Sequence, residues 1–141
     1  MKNKNIKILF VDDDKELRTE IRDLLFSEGY DVSLAENGKE AIEILNLENI
    51  DLIISDIMMP VKNGYEFYSD IKKNEAFAAL PFLFLTAKAS YNEFRIGMDL
   101  GADDYITKPF DPVELLKAIK TRLTKWNKQL RYFSRKTKIY N

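Results

Sequence analysis

Five short apolar runs, each followed by a stretch of helical period, constrain this chain more than any other feature. Ile6–Val11, Tyr30–Ala35, Asp51–Ser55, Pro81–Leu85 and Asp104–Thr107 have strand length and are rich in Ile, Val, Leu and Phe. Ile53-Ile54 and Phe82-Leu83-Phe84-Leu85 are apolar on both strand faces, as strands are when helices cover both sides of a parallel sheet. Between the runs, Leu17, Ile21, Leu24 and Leu25 mark one helix face, and Gly29 supplies a stop. Asn37 can cap a second helix bearing Ala41, Ile42 and Leu45, and Asn63-Gly64 opens a third with Phe67 and Ile71. Ser90 can cap a fourth that ends near Gly101. Asp111-Pro112-Val113-Glu114 starts a fifth, with Asp in the cap, Pro at N1 and Glu at N3. No repeat or low-complexity linker interrupts this order up to about Thr124. The expectation is one doubly wound α/β domain, a five-stranded parallel sheet flanked by five helices.

The 141 residues suffice for one proper core, and a hydrophobic content of 45% argues against disorder. The chain has no cysteine and no histidine, which excludes thiol nucleophiles, disulfides, imidazole-ligated metals, histidine triads and a phosphohistidine role. Chemistry must fall to carboxylates, hydroxyls, lysines or a bound ion. No apolar run reaches the roughly 18 residues of a membrane span. Met1 to Asn5 is basic, but the adjoining run passes through Lys7 into Asp12-Asp13-Asp14 rather than into an export signal, so the expected compartment is the cytoplasm. The net charge of −1 conceals a split: residues 125–141 carry six basic and no acidic residues, while residues 1–124 carry 16 basic against 23 acidic, a net of −7.

In an open parallel sheet, ligands bind beyond the carboxyl ends of the strands. Here the first strand ends in Asp12-Asp13-Asp14, the third in Ser55-Asp56, the fourth in Thr86-Ala87 and the fifth in Thr107-Lys108-Pro109. Clustered carboxylates repel unless a cation joins them, and all-oxygen donors suit a hard divalent ion such as Mg²⁺. Its charge lets a phosphate approach, an Asp can then form an acyl phosphate, and a lysine and a threonine hydroxyl can hold the phosphoryl oxygens. Each residue also has a plainer reading. Asp14, or Asp13 with Glu16, can serve only as a helix cap, Asp56 as a turn residue, Thr86 as a strand-end hydroxyl and Lys108 as a solvated lysine. Their coincidence at four strand ends favours the phosphorylation site.

Ile8-Leu9-Phe10-Val11-Asp12-Asp13-Asp14, Asp51 to Pro60 with Gly64, Leu85-Thr86-Ala87 and Gly101 to Phe110 together resemble the receiver domain of two-component response regulators, a chemotaxis-regulator-like phosphoacceptor domain. The resemblance covers residues 6 to about 124. It implies a flavodoxin-like fold and a receiver over residues 1–124, followed by a basic helical tail or linker over 125–141. It further implies that Asp56 takes a phosphoryl group, with Mg²⁺, from the phosphohistidine of a sensor histidine kinase or a phosphotransfer protein. By position, Asp13 matches the direct ion ligand, Asp12 the acidic neighbour that usually acts through water, and Met58 a ligand through its backbone carbonyl. Thr86 and Lys108 match the groups that hold the phosphoryl oxygens, and Pro109 a proline that follows a cis peptide bond. Tyr105 matches a switch aromatic that turns into space vacated as Thr86 moves toward the phosphoryl group; a strand tyrosine with no switching role is the plainer reading. Met58 and Lys88 occupy positions that tune how fast the phosphoryl group is lost. The resemblance implies a signalling phosphoacceptor that assists its own phosphorylation and dephosphorylation, not a metabolic enzyme. A haloacid-dehalogenase-type phosphatase needs a second acid where Met58 stands. A receiver serving only as a docking module is the other rival.

Leu116, Ile119, Leu123, Trp126, Leu130 and Phe133 recur at intervals of 3 and 4, a heptad seam running past the usual end of the domain. The expectation is an extended C-terminal helix. It runs on as a dimerising coiled coil toward an output domain beyond this chain, folds back on its own domain to cover an apolar patch, or is a frayed end. The face of the fourth predicted helix, fifth strand and fifth helix is the other candidate for a homodimer. The 17 residues of the tail are too few for a helix-turn-helix domain, which argues against direct nucleic-acid binding.

Overall fold

The computed structural model describes residues 5–87, 95–96, 99 and 101–125. Strands β1 (Lys7–Val11), β2 (Asp31–Ala35), β3 (Leu52–Ser55), β4 (Phe82–Thr86) and β5 (Asp104–Thr107) form a parallel sheet in the order β2-β1-β3-β4-β5. Each lies within a residue or so of the expected run. Helices α1 (Lys15–Ser27), α2 (Gly38–Leu47) and α3 (Gly64–Lys73) are joined by a fourth, α4, over 112–125. Five helices were expected. Arg95, Ile96 and Asp99, within the span predicted to run from Ser90 to near Gly101, are helical, and Gly101 sits in a turn at φ +95°. The other residues of that span lie outside the described residues, as do Trp126, Leu130 and Phe133 of the predicted seam.

The strand pattern explains the layering. In β1, Ile8 and Phe10 pack with Ile21 and Leu25 of α1 and with Leu115, Ile119 and Leu123 of α4 on one face. Leu9 and Val11 pack with Ala41 and Leu45 of α2 and with Phe67, Tyr68 and Ile71 of α3 on the other. β3 and β4 alternate in the same way, so both faces are buried and neither strand has a polar side. On the α2–α3 face, Phe82 and Phe84 stack edge-on at 5.0 Å, with Tyr68 at 4.9 Å from Phe82.

The helix starts are set by side chains that satisfy otherwise unpaired N–H groups. Asp14 Oδ1 accepts from Leu17, Asn37 Oδ1 from Glu40, and Asp111 Oδ1 from Val113. Asn63 and Glu66 form a reciprocal capping box at the start of α3. Gly29 closes α1 at φ +91°, a conformation that costs glycine nothing.

The β3–α3 loop contains one strained residue. Val61 has φ +69° although it is β-branched, and it is 77% exposed. Next to it, Lys62 is ion-paired with Asp70 of α3. The left-handed region costs an L-residue roughly 1–2 kcal/mol, whereas glycine there loses about 0.4–1 kcal/mol through its freer unfolded chain. With so little packing to lose, Val61→Gly is expected to raise stability by about 0.5–1 kcal/mol. Urea denaturation monitored by circular dichroism measures it, and a decrease would mean that the loop does not hold this φ.

Candidate functional site

Parallel register decides which residues meet at the carboxyl rim of the sheet. Val11 pairs with Ser55, so Asp12 and Asp56 emerge side by side, and the Asp56 N–H donates to the Val11 carbonyl at 2.9 Å. Ser55 pairs with Phe84, which puts Thr86 two residues further along the neighbouring strand. Thr86 pairs with Thr107, and the Lys108 N–H donates to the Thr86 carbonyl at 2.9 Å. The four strand ends named from the sequence therefore do converge.

One carboxylate oxygen from each of Asp12, Asp13 and Asp56 lies within 4.8 Å of the others. Asp12 and Asp56 are buried and Asp13 is exposed. Lys108 Nζ donates to both buried acids, at 2.8 Å to Asp12 Oδ2 and 3.1 Å to Asp56 Oδ2. The other oxygens are held by backbone: Asp12 Oδ1 accepts from the Asp14 N–H at 2.9 Å, and Asp56 Oδ1 from the Ile57 N–H at 2.7 Å and the Met58 N–H at 3.4 Å. Burial raises the pKa of Asp12 and the charge of Asp56 adds to this, while the hydrogen bonds from Lys108 and from the Asp14 N–H oppose it. Burial opposes the Lys108 charge, yet the hydrogen bond to Asp12 and the charges of Asp12 and Asp56 outweigh it and hold the ammonium protonated. A three-carboxylate cluster served by one lysine keeps a deficit of positive charge. Its all-oxygen donors fit a hard divalent cation.

Thr86 is fully buried at the end of β4. Tyr105 pairs with Phe84, its ring 6.3 Å from that of Phe84, and belongs to the α2–α3 face. Because Thr86 is two residues beyond Phe84, it shares that face with Tyr105. Tyr105 is only 7% exposed, so its ring already occupies an inward position. The Lys108–Pro109 peptide is cis, as the resemblance implied. The Met58 side chain is 57% exposed beside Asp56. Lys88 lies outside the described residues.

Two contributions to the site were not legible in the sequence. Gly64 begins α3 as expected, but it also puts its N–H on the Ile57 carbonyl at 2.8 Å and lies directly against the peptide that joins Asp56 to Ile57, an approach that the sequence did not show. Arg18 of α1 reaches back to the Asp12 carbonyl at 2.8 Å. Side chains in a helix lean toward its N-terminus, so a basic residue in the first turn behind an acidic loop was the available signal.

The family described as the response regulator receiver domain matches residues 8–120. A probable transcriptional regulator, ycf29, of Pyropia yezoensis is 45% identical over 113 residues, covering 80% of this chain and 51% of that protein. The transcriptional regulatory protein CpxR of Escherichia coli strain K12 is 39% identical over 125 residues, covering 87% of this chain and 52% of that protein. The chain thus spans about half the length of these curated relatives. Among solved structures, the chemotaxis response regulator CheY4 of Vibrio cholerae superposes with a TM-score of 0.78 at 34% identity, covering 85% of this chain and 99% of that one. A CheY-like response regulator receiver domain protein of Methanospirillum hungatei gives a TM-score of 0.82 at 30% identity, covering 89% and 99%.

Proposed function

The chain belongs to the response regulator receiver domain family of two-component signalling, and on that premise we propose that Asp56 is its phosphoacceptor. The observation that carries the reading is the meeting of Asp12, Asp13 and Asp56 within 4.8 Å, with Lys108 bonded to both buried acids. In the proposed step an Asp56 carboxylate oxygen attacks the phosphorus of a phosphohistidine on a sensor kinase or phosphotransfer protein. A P–O bond forms, the P–N bond breaks, and the imidazole leaves with the electron pair. The Lys108 ammonium and the Thr86 hydroxyl take phosphoryl oxygens, which offsets charge as the group arrives. Mg²⁺, held by Asp12, Asp13, Asp56 and the Met58 carbonyl, supplies the remaining charge neutralisation when bound.

Thr86 and Tyr105 are the proposed switch. Drawing Thr86 toward a phosphoryl oxygen favours the inward position of Tyr105, and this biases the surface of β5 and α4 between two packings. The product is a conformational state read by a partner. The matched stretch makes up about half of each of these curated relatives, which supports an output domain beyond the receiver. That surface, or a helix continuing beyond α4, is the proposed site of pairing between copies. Among the described residues no helix is long and apolar enough to cross a membrane, in keeping with a proposed cytoplasmic location.

Incubation with a small phosphoryl donor, read by intact mass, tests the chemistry. One added phosphoryl group in the presence of Mg²⁺ and none after chelation is the expected result. No adduct, together with failure to bind beryllofluoride, would remove the switch reading.

A further inference from the structure

Asp13 is the odd member of the carboxylate cluster. It is exposed and accepts no hydrogen bond from the described residues, whereas every polar atom of Asp12 is occupied. The Asp12 N–H donates to the Ala35 carbonyl at 3.0 Å, and its two carboxylate oxygens accept from Asp14 and Lys108. Its carbonyl accepts from Arg18 Nη1 at 2.8 Å. That carbonyl belongs to the same planar unit as the nitrogen and Cα of Asp13, so orienting it orients the Asp13 backbone. The Arg18 side chain is only 12% exposed, and its Nη2 lies 3.7 Å from Glu36 Oε1 in the loop after β2. One guanidinium therefore spans the loops that follow β1 and β2.

We infer that Arg18 is a positioning residue for the divalent-cation site, holding the Asp12–Asp13 peptide so that Asp13 faces Asp12 and Asp56. This rests on the reading of those acids as the ion's ligands. Two effects of Arg18 on a bound cation have opposite signs, which makes the inference decidable. As a charge, Arg18 repels the ion, so removing it would tighten binding. As a tether, it pre-orders a ligand whose carboxylate accepts no hydrogen bond from the described residues, so removing it weakens binding. Groups that orient metal ligands typically change affinity by about 10–100-fold when lost. The Glu36 carboxylate, 3.7 Å from Arg18 Nη2, offsets part of the guanidinium's charge and so weakens its repulsion of the ion, and the tether prevails.

The test is a calorimetric titration of the intact chain with Mg²⁺ alone, without a phosphoryl donor, for the parent, Arg18→Met and Arg18→Lys. Melting curves of the metal-free proteins confirm that each is folded. Affinity is expected to fall about tenfold in Arg18→Met. Arg18→Lys keeps one donor and the charge but not the fork, and is expected to fall between the two. A variant that is equally stable yet binds Mg²⁺ as tightly as the parent, or more tightly, overturns the inference and leaves the ion site standing. A parent that binds no Mg²⁺ overturns both. If Arg18→Met does not fold, Arg18→Lys decides: affinity unchanged from the parent overturns the inference, and a loss supports it.

Discussion

Asp56→Asn is expected to take up no phosphoryl group under conditions that label the parent once per chain, while remaining folded. The amide has nearly the same shape, and its carbonyl oxygen can go on accepting from the Ile57 N–H now 2.7 Å from Asp56 Oδ1. It lacks the anionic oxygen that attacks phosphorus. The variant also removes one of two like charges buried side by side, leaving Lys108 paired with Asp12 at 2.8 Å. Its melting temperature without Mg²⁺ should therefore be no lower than that of the parent. Intact mass and a thermal melt of the same samples measure both parts. An adduct on the folded variant would move the phosphoacceptor elsewhere.

Gly64→Ala should have the largest effect on stability. Alanine normally improves a helix over glycine by about 1 kcal/mol, so propensity alone predicts a gain. Position reverses the sign. A Cβ at residue 64 would lie 2.1 Å from the Asp56 carbonyl oxygen and 2.7 Å from the Ile57 Cα, both backbone atoms that cannot swing aside. Either α3 moves off the sheet or the end of β3 shifts. Overpacking of this kind costs on the order of 3 kcal/mol, and a fall of about 10 °C in melting temperature is expected for a domain of this size. Because the atoms displaced adjoin Asp56, phosphoryl uptake should slow as well. A variant as stable as the parent would show that the approach of α3 to β3 is looser than the structure has it.

Much of the fold was legible because it rests on local signals. Runs that are apolar on both faces, separated by capped helical stretches, leave few topologies, and parallel pairing of the strands puts Asp12, Asp56, Thr86 and Lys108 at one carboxyl rim. The caps at Asp14, Asn37 and Asp111 were readable for the same reason. The features that escaped depend on approaches between elements distant in the chain. Gly64 was visible as a letter in a motif, but the pressure of α3 on the Asp56 peptide exists only once β3 and α3 are placed. The Arg18 bridge to Glu36 joins a helix to the far end of another strand. The inward ring of Tyr105 is a choice between rotamers, on which one sequence is silent. Val61 shows the opposite case, since a β-branched residue argues against the φ that the loop imposes.

The lysine that joins the two buried acids has a consequence for how the protein is made. Lys108 reaches Asp12 across 96 residues and Asp56 across 52. During synthesis both acids leave the ribosome well before the strand that carries their counter-charge, and β5 pairs only with β4. A nascent chain ending before β5 would hold the acidic pair without the lysine that bonds to both, besides an open edge on β4. Contacts of such long sequence separation form late and slow folding. Completion of the acidic cluster with its lysine and completion of the sheet are thus one event, so a truncated translation product is not expected to present the proposed phosphorylation site in finished form.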